Sequence, residues 1–143
     1  MKIAIACDHA GYTYKEMLKK HLEAQKHAIT DCGTFSEERC DYPEFGFKAA
    51  ELVSKGKAER AIMVCGSGIG MCMVANRFRN VRAAVVRDEN DAILSREHND
   101  ANIACFGSRV TSIENVKTLT DIFLKTSFAG GRHQARVEKI EKL

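Results

Sequence analysis

The sequence predicts a three-layer α/β sandwich built on a parallel sheet. Two observations carry this. Five short apolar runs recur along the chain, and each precedes a longer polar or helix-period segment, so a β-α unit repeats five times. The runs are also nearly continuous in apolar character, as strands covered on both faces must be. Right-handed crossovers then spread the helices over both faces.

The first run, I-A-I-A-C (3–7), leads through C-D-H-A-G (7–11) into a helix with Tyr14, Met17, Leu18 and Leu22 on one face. The second, A-I-T-D-C (28–32), opens the long loop C-G-T-F-S-E-E-R-C-D-Y-P (32–43). The third, A-I-M-V-C (61–65), runs into C-G-S-G-I-G (65–70). The fourth, R-A-A-V-V (82–86), is followed by V-R-D-E-N (86–90) and a helix ending in E-H-N-D (97–100). The fifth, N-I-A-C-F (102–106), precedes F-G-S-R (106–109) and a helix with Ile113, Val116, Leu119, Ile122 and Phe123 on one face. Gly130-Gly131 reads as a turn into a last, charged helix projecting from the sandwich. No repeat or linker interrupts the pattern, so residues 1–143 read as one domain.

Composition narrows the function class. The chain is 45% hydrophobic and 29% charged, and its net charge of +3 comes without a basic stripe interleaved with aromatics. A nucleic-acid partner is therefore not expected. The opening M-K-I-A-I-A-C is too short for a secretion signal or a membrane span, so the expected location is the cytoplasm, with no membrane partner. Six cysteines (Cys7, Cys32, Cys40, Cys65, Cys72, Cys105) form no C-x-x-C pair and no zinc-ligand spacing. Neither a disulfide framework nor a metal site is expected.

In a parallel α/β sheet the strand-to-helix loops gather on one edge, where ligands bind. Of these loops C-G-S-G-I-G stands out. Glycines after a strand let backbone amides converge, and the helix start adds partial positive charge, so an anion is welcome. The same field favours a thiolate at Cys65. No Lys-Ser/Thr follows, so this is not a P-loop; the third glycine comes one residue early for G-x-G-x-x-G, and Met71 stands where C-x5-R needs arginine. The competing reading is a tight turn with a buried thiol.

Asp8-His9 after the first strand could meet hydroxyls or phosphate, or Asp8 could simply cap the next helix. His98 at the end of the fourth helix reads alone as a capping residue, with catalysis as the rival. Arg132 and Arg136 lie four apart on the last helix, and Arg109 follows the fifth strand. Guanidiniums so placed grip a phosphate with paired donors, or form a solvated cationic face. His21 and His27 read as surface positions. An anion cradle, an activatable thiol, a histidine acid and several arginines together fit proton abstraction beside a carbonyl on a phosphorylated sugar.

The chain resembles the ribose-5-phosphate isomerase B family, grouped with the galactose-6-phosphate isomerases. The resemblance runs end to end, on I-A-C-D-H-A-G (5–11), D-C-G-T (31–34), D-Y-P (41–43), C-G-S-G-I-G-M (65–71), A-N-R (75–77), S-R-E-H-N-D-A-N (95–102), F-G-S-R (106–109) and G-G-R-H-Q-x-R-V (130–137). It implies a Rossmann-like α/β/α sandwich with a five-stranded parallel sheet. It also implies interconversion of D-ribose 5-phosphate and D-ribulose 5-phosphate through an enediolate, with no metal or other cofactor. Cys65 matches the family's base and His98 the residue assisting ring opening. Ser67, with the amides of Gly66, Ser67, Gly68, Ile69 and Gly70, matches the anion hole. Asp8, His9, Asn99, Arg109, Arg132 and Arg136 match positions that hold hydroxyls or phosphate. The family forms dimers or tetramers whose sites draw on two chains.

Two departures matter. Many thiol-type members carry threonine at the place of Ser67, so the pocket here is expected to be slightly roomier. A second branch lacks the cysteine and uses glutamate where this chain has Met71, which places this chain in the thiol branch. The nearest rival activity is isomerisation of a six-carbon sugar phosphate such as galactose or allose 6-phosphate. A non-catalytic sugar-phosphate sensor is the rival from another class, and a redox thiol lacks a resolving partner at C-x-x-C spacing.

Overall fold

The computed structural model of the chain describes residues 1–142. All five expected strands form: β1 (Lys2–Cys7), β2 (Ala28–Asp31), β3 (Arg60–Cys65), β4 (Ala83–Val85) and β5 (Ile103–Gly107). Every pairing is parallel, in the order β2-β1-β3-β5-β4. The helices are α1 (Tyr12–Ala24), α2 (Tyr42–Ser54), α3 (Ile69–Ala75), α4 (Glu89–Glu97), α5 (Ile113–Lys125) and α6 (Gln134–Ile140).

The strand order decides which face each helix covers. From β1 the chain steps outward to β2, returns across β1 to β3, passes on to β4, and comes back to β5 between them. Right-handed connections then place α1 and α4 on one face and α2 and α3 on the other. Two apolar cores result. Ile3, Ile5, Ile62, Val64 and Phe106 pack against Leu18 and Leu22 of α1 and Val116 and Phe123 of α5. On the opposite face Ala4, Ala6, Ala61 and Met63 meet Ala49 and Val53 of α2 and Met71 and Ala75 of α3. The alternation Ile3/Ile5 against Ala4/Ala6 is the two-residue period of a strand buried on both sides.

Periodicity expected Met17 on the inner face of α1, and there the structure differs. Met17 is half-buried, while Lys15 is wholly buried. The Lys15 Nζ lies 2.6 Å from Asp31 Oδ2 and 2.5 Å from Glu16 Oε1. Asp31 Oδ1 in turn accepts the Gly33 N–H at 3.0 Å, so one buried cation ties α1 to the end of β2 and the loop after it. Burial alone would raise the Asp31 carboxyl, but hydrogen bonds from Lys15 and the Gly33 amide outweigh it and hold it below the usual range. A carboxyl so depressed stabilises the fold at neutral pH, and that contribution is lost as pH falls through its folded value. Lys15→Met is expected to cost about 3 kcal/mol in denaturant unfolding, because it takes the closer cation from a largely buried carboxylate and leaves it Lys19 Nζ at 3.3 Å. The gap from wild type narrows in acid, where Asp31 takes up a proton.

The last helix, α6, lies outside both cores, though its Val137 is buried. Glu141 after it accepts the Asn80 N–H at 3.2 Å and pairs with Arg82, at the start of β4. The helix is thereby held at the edge of the sheet where the strands begin. Among the described residues no helix is long and apolar enough to cross a membrane.

Candidate active site

The carboxyl ends of β1, β3 and β5 meet where the chain reverses its direction across the sheet, the expected position for a ligand crevice. A cleft of ≈ 370 Å³ opens there, lined by Asp8, Tyr42, Cys65, Gly66, Ser67, Gly70, Arg109 and Val110. Cys65 ends β3 and is 4% exposed. Its Sγ accepts the Gly68 N–H at 3.1 Å, so the loop amide faces the sulfur. Gly68 caps α3 at φ 79, a left-handed turn that glycine adopts without penalty. This turn bends the chain back over its own strand.

Two neighbours make room for that bend. A Cβ on Gly107 would sit 2.7 Å from the Ser67 carbonyl carbon, so β5 must end in glycine for the loop to lie against it. Ser108 N–H then donates to Cys65 O at 2.9 Å and Arg109 N–H to Gly66 O at 3.1 Å, which lashes the two loops together. The Arg109 guanidinium consequently lies over Gly66. Ser67 Oγ accepts the Ile69 N–H at 3.3 Å, and the Ile69 side chain itself points outward, 45% exposed.

Asp8 is buried and accepts the Gly11 N–H on Oδ1 at 3.1 Å, so it caps the turn into α1 and also lines the cleft. Nδ1 of His9 lies 3.3 Å from the Cys40 nitrogen, and among the described residues Nε2 has no hydrogen-bond partner. Tyr42 is a cleft residue that inspection of the sequence passed over. Its ring fills the space beside Gly70, where a Cβ would come within 2.7 Å. The available signal was D-Y-P, with Tyr42 starting α2 and Pro43 in its first turn at the end of the long loop.

His98, Asn99, Arg132 and Arg136 are not in this cleft. The α4 helix starts at the carboxyl edge and runs back antiparallel to the strands, so its end lies at the amino edge. Nine residues of helix put His98 about 14 Å below the loop edge. Asn99 lines a separate hollow with Asn76, Arg82 and Ser95. The His98 ring stacks on His133, at 4.2 Å between centroids and 11° between planes. His133 in turn sits between Arg132 and the helix that carries Arg136, and both arginines are exposed. The corner after α4 is built on Asp100, at φ 47, whose carboxylate is clamped by Arg82 Nη2 at 2.9 Å and Arg96 Nη1 at 2.8 Å. The residues thus form two groups on opposite edges: thiol, anion loop, Asp8 and Arg109 on one, the histidine and the arginine pair on the other.

A family model described as Ribose/Galactose Isomerase matches residues 3–140. The chain belongs to the ribose/galactose isomerase family. It is 42% identical to ribose-5-phosphate isomerase B of Escherichia coli K12 over 139 residues, 97% of this chain and 93% of that protein. Among solved structures, ribose-5-phosphate isomerase B of Clostridium thermocellum superposes with TM-score 0.97 at 43% identity, covering 99% of this chain and 96% of that one. The Mycoplasma genitalium enzyme, solved with ribulose 5-phosphate bound, superposes with TM-score 0.95 at 39% identity, covering 99% and 94%. The five-stranded parallel sandwich is therefore the family's fold.

Proposed function

We propose that this isomerase domain interconverts D-ribose 5-phosphate and D-ribulose 5-phosphate. The observation that carries the reading is the Cys65 sulfur set against the Gly68 amide in the cleft shared with Asp8 and Arg109. The likeness to a family member solved with ribulose 5-phosphate names the substrate class.

The chemistry follows from the groups present. His98 delivers a proton to the ring oxygen as the C1–O4 bond breaks, the anomeric O1 hydroxyl gives its proton to solvent as the aldehyde forms, and His98 regains a proton from solvent. The Cys65 thiolate removes the proton from C2 of the open aldose, and the electron pair moves to form the enediolate. Amides of Gly66 to Gly70 and the Ser67 hydroxyl hold the negative oxygen. The Cys65 thiol returns the proton to C1 while the proton on O2 passes to O1. Oxidation at C2 balances reduction at C1 within one molecule, so the scheme draws on no external redox partner. Asp8, His9 and Asn99 hold hydroxyls; Arg109, Arg132 and Arg136 hold phosphate.

Such a site needs a second copy of the chain. His98 and the arginine pair lie on the far edge from Cys65, so a two-fold homodimer brings one chain's His98 edge to the other's Cys65 edge, twice over. A homotetramer would pair two such dimers. Exposed apolar side chains support this: Val110 at the cleft (61%), Phe35 on the loop after β2 (67%) and Met73 on α3 (66%) offer apolar surface for a second chain to cover. The six free thiols, one of them the proposed base, suit the reducing cytoplasm.

The test is ribulose 5-phosphate formation from ribose 5-phosphate in EDTA, run in deuterium oxide. The expected ketose carries solvent deuterium at C1, as abstraction and return through an exchangeable thiol require. Turnover only of allose or galactose 6-phosphate would replace the substrate assignment, and binding without any turnover would establish a sensor.

A further inference from the structure

We infer that His133 is a positioning residue for His98: its ring is the platform that sets the plane of the His98 imidazole, and the stack opposes a positive charge on both rings at once. The inference rests on His98 acting as the acid at the substrate's ring oxygen. An acid histidine must keep a nitrogen free for substrate while its ring is held still. Commonly a carboxylate on the second nitrogen does the holding. Among the described residues, neither ring nitrogen of His98 nor of His133 has a protein hydrogen-bond partner. The His98 backbone is fixed, its N–H donating to Leu94 O at 2.9 Å, but nothing polar fixes its ring. The near-parallel face of His133, 4.2 Å away, does.

The platform is itself well anchored. His133 is 8% exposed, its N–H donates to Gly130 O at 3.0 Å, and the Ala129 N–H donates to Glu97 O at 3.0 Å, one residue before His98. Two cations stacked face to face repel, so protonation of one ring opposes that of the other. The charged groups facing the pair are Arg132 and Arg136 beside His133, and Glu97 on α4. Burial first, then His98, then the two guanidiniums push the His133 imidazole below its ordinary value, against the pull of Glu97. His133 is thus disfavoured as a cation, and His98 is the less buried ring of the two.

Two substitutions separate platform from packing. His133→Ala removes the face, and His133→Phe restores a flat ring with no nitrogen. In the whole oligomer, His133→Ala is expected to lower kcat on ribose 5-phosphate about tenfold with KM within twofold, and His133→Phe to recover most of the loss. In NMR titration of the ring Cε1–H signals, wild-type His98 and His133 are expected to titrate in two mutually dependent steps. In His133→Phe, His98 is expected to titrate in one. Unchanged kcat in His133→Ala, equal losses in both variants, or independent single-step curves in wild type would overturn the inference. Wild type that turns over no ribose 5-phosphate overturns the isomerase reading instead, while the titration still reports whether the stack opposes a charge on both rings. Should His133→Ala fail to fold, His133→Phe and the wild-type titration decide alone.

Discussion

Cys65→Ala is expected to lower kcat on the order of 10³-fold, with KM little changed and the melting temperature close to wild type. The three readouts belong together. A factor of 10³ is about 4 kcal/mol of barrier, the scale of losing a general base outright. Removing one buried sulfur from the end of β3 costs the fold far less, because Gly68 and Gly107 set the loop path through backbone contacts that remain. Cys65→Ser sharpens the result. Its hydroxyl fits the same space and can accept the Gly68 N–H now given to sulfur. It does not ionise near neutral pH, so it is expected to fail almost as badly as alanine. Serine activity near wild type would show that the sulfur is not the base, and alanine activity near wild type would send the search to Asp8, the other proton acceptor lining the cleft.

Mixing two inactive variants is expected to restore turnover. In Cys65→Ala every site lacks its base, and in His98→Asn every site lacks its acid. If each site takes Cys65 from one chain and His98 from the other, a mixed dimer holds one site with both lesions and one with neither. Random pairing makes about half the dimers mixed, each with one good site of two, so an equal mixture is expected to reach about a quarter of the wild-type rate. The distance argues for this outcome. One chain's His98 lies a full helix, about 14 Å, from the edge holding its own Cys65, too far for one pentose to touch both on a rigid sheet. A mixture no faster than its components, with chain exchange verified, would mean that His98 does not serve a neighbour's site.

Much of this was legible in the residues. The five strands appeared where continuous apolar runs placed them, with ends shifted by a residue or so, as at β2, which stops at Asp31. The C-G-S-G-I-G loop was readable because its path rests on local chemistry, glycines after a strand and before a helix. Asp8 was readable as a cap for the same reason, and the structure shows the cap. Lys15 was not. Amphipathic periodicity treats lysine as surface, and its burial becomes tolerable when Asp31 arrives from β2 to join Glu16 around the ammonium. Nor was Tyr42, whose place beside Gly70 depends on α2 packing against α3.

By itself the sequence determined the element types and the parallel sheet, because these depend on neighbours a few residues apart. Tertiary structure alone decided the strand order β2-β1-β3-β5-β4 and, through it, which loops share an edge. It also decided that Cys65 and His98 face opposite ways and that His98 lies flat on His133. These are distances between residues far apart in the chain, set by how the strands pair, and no local pattern encodes them.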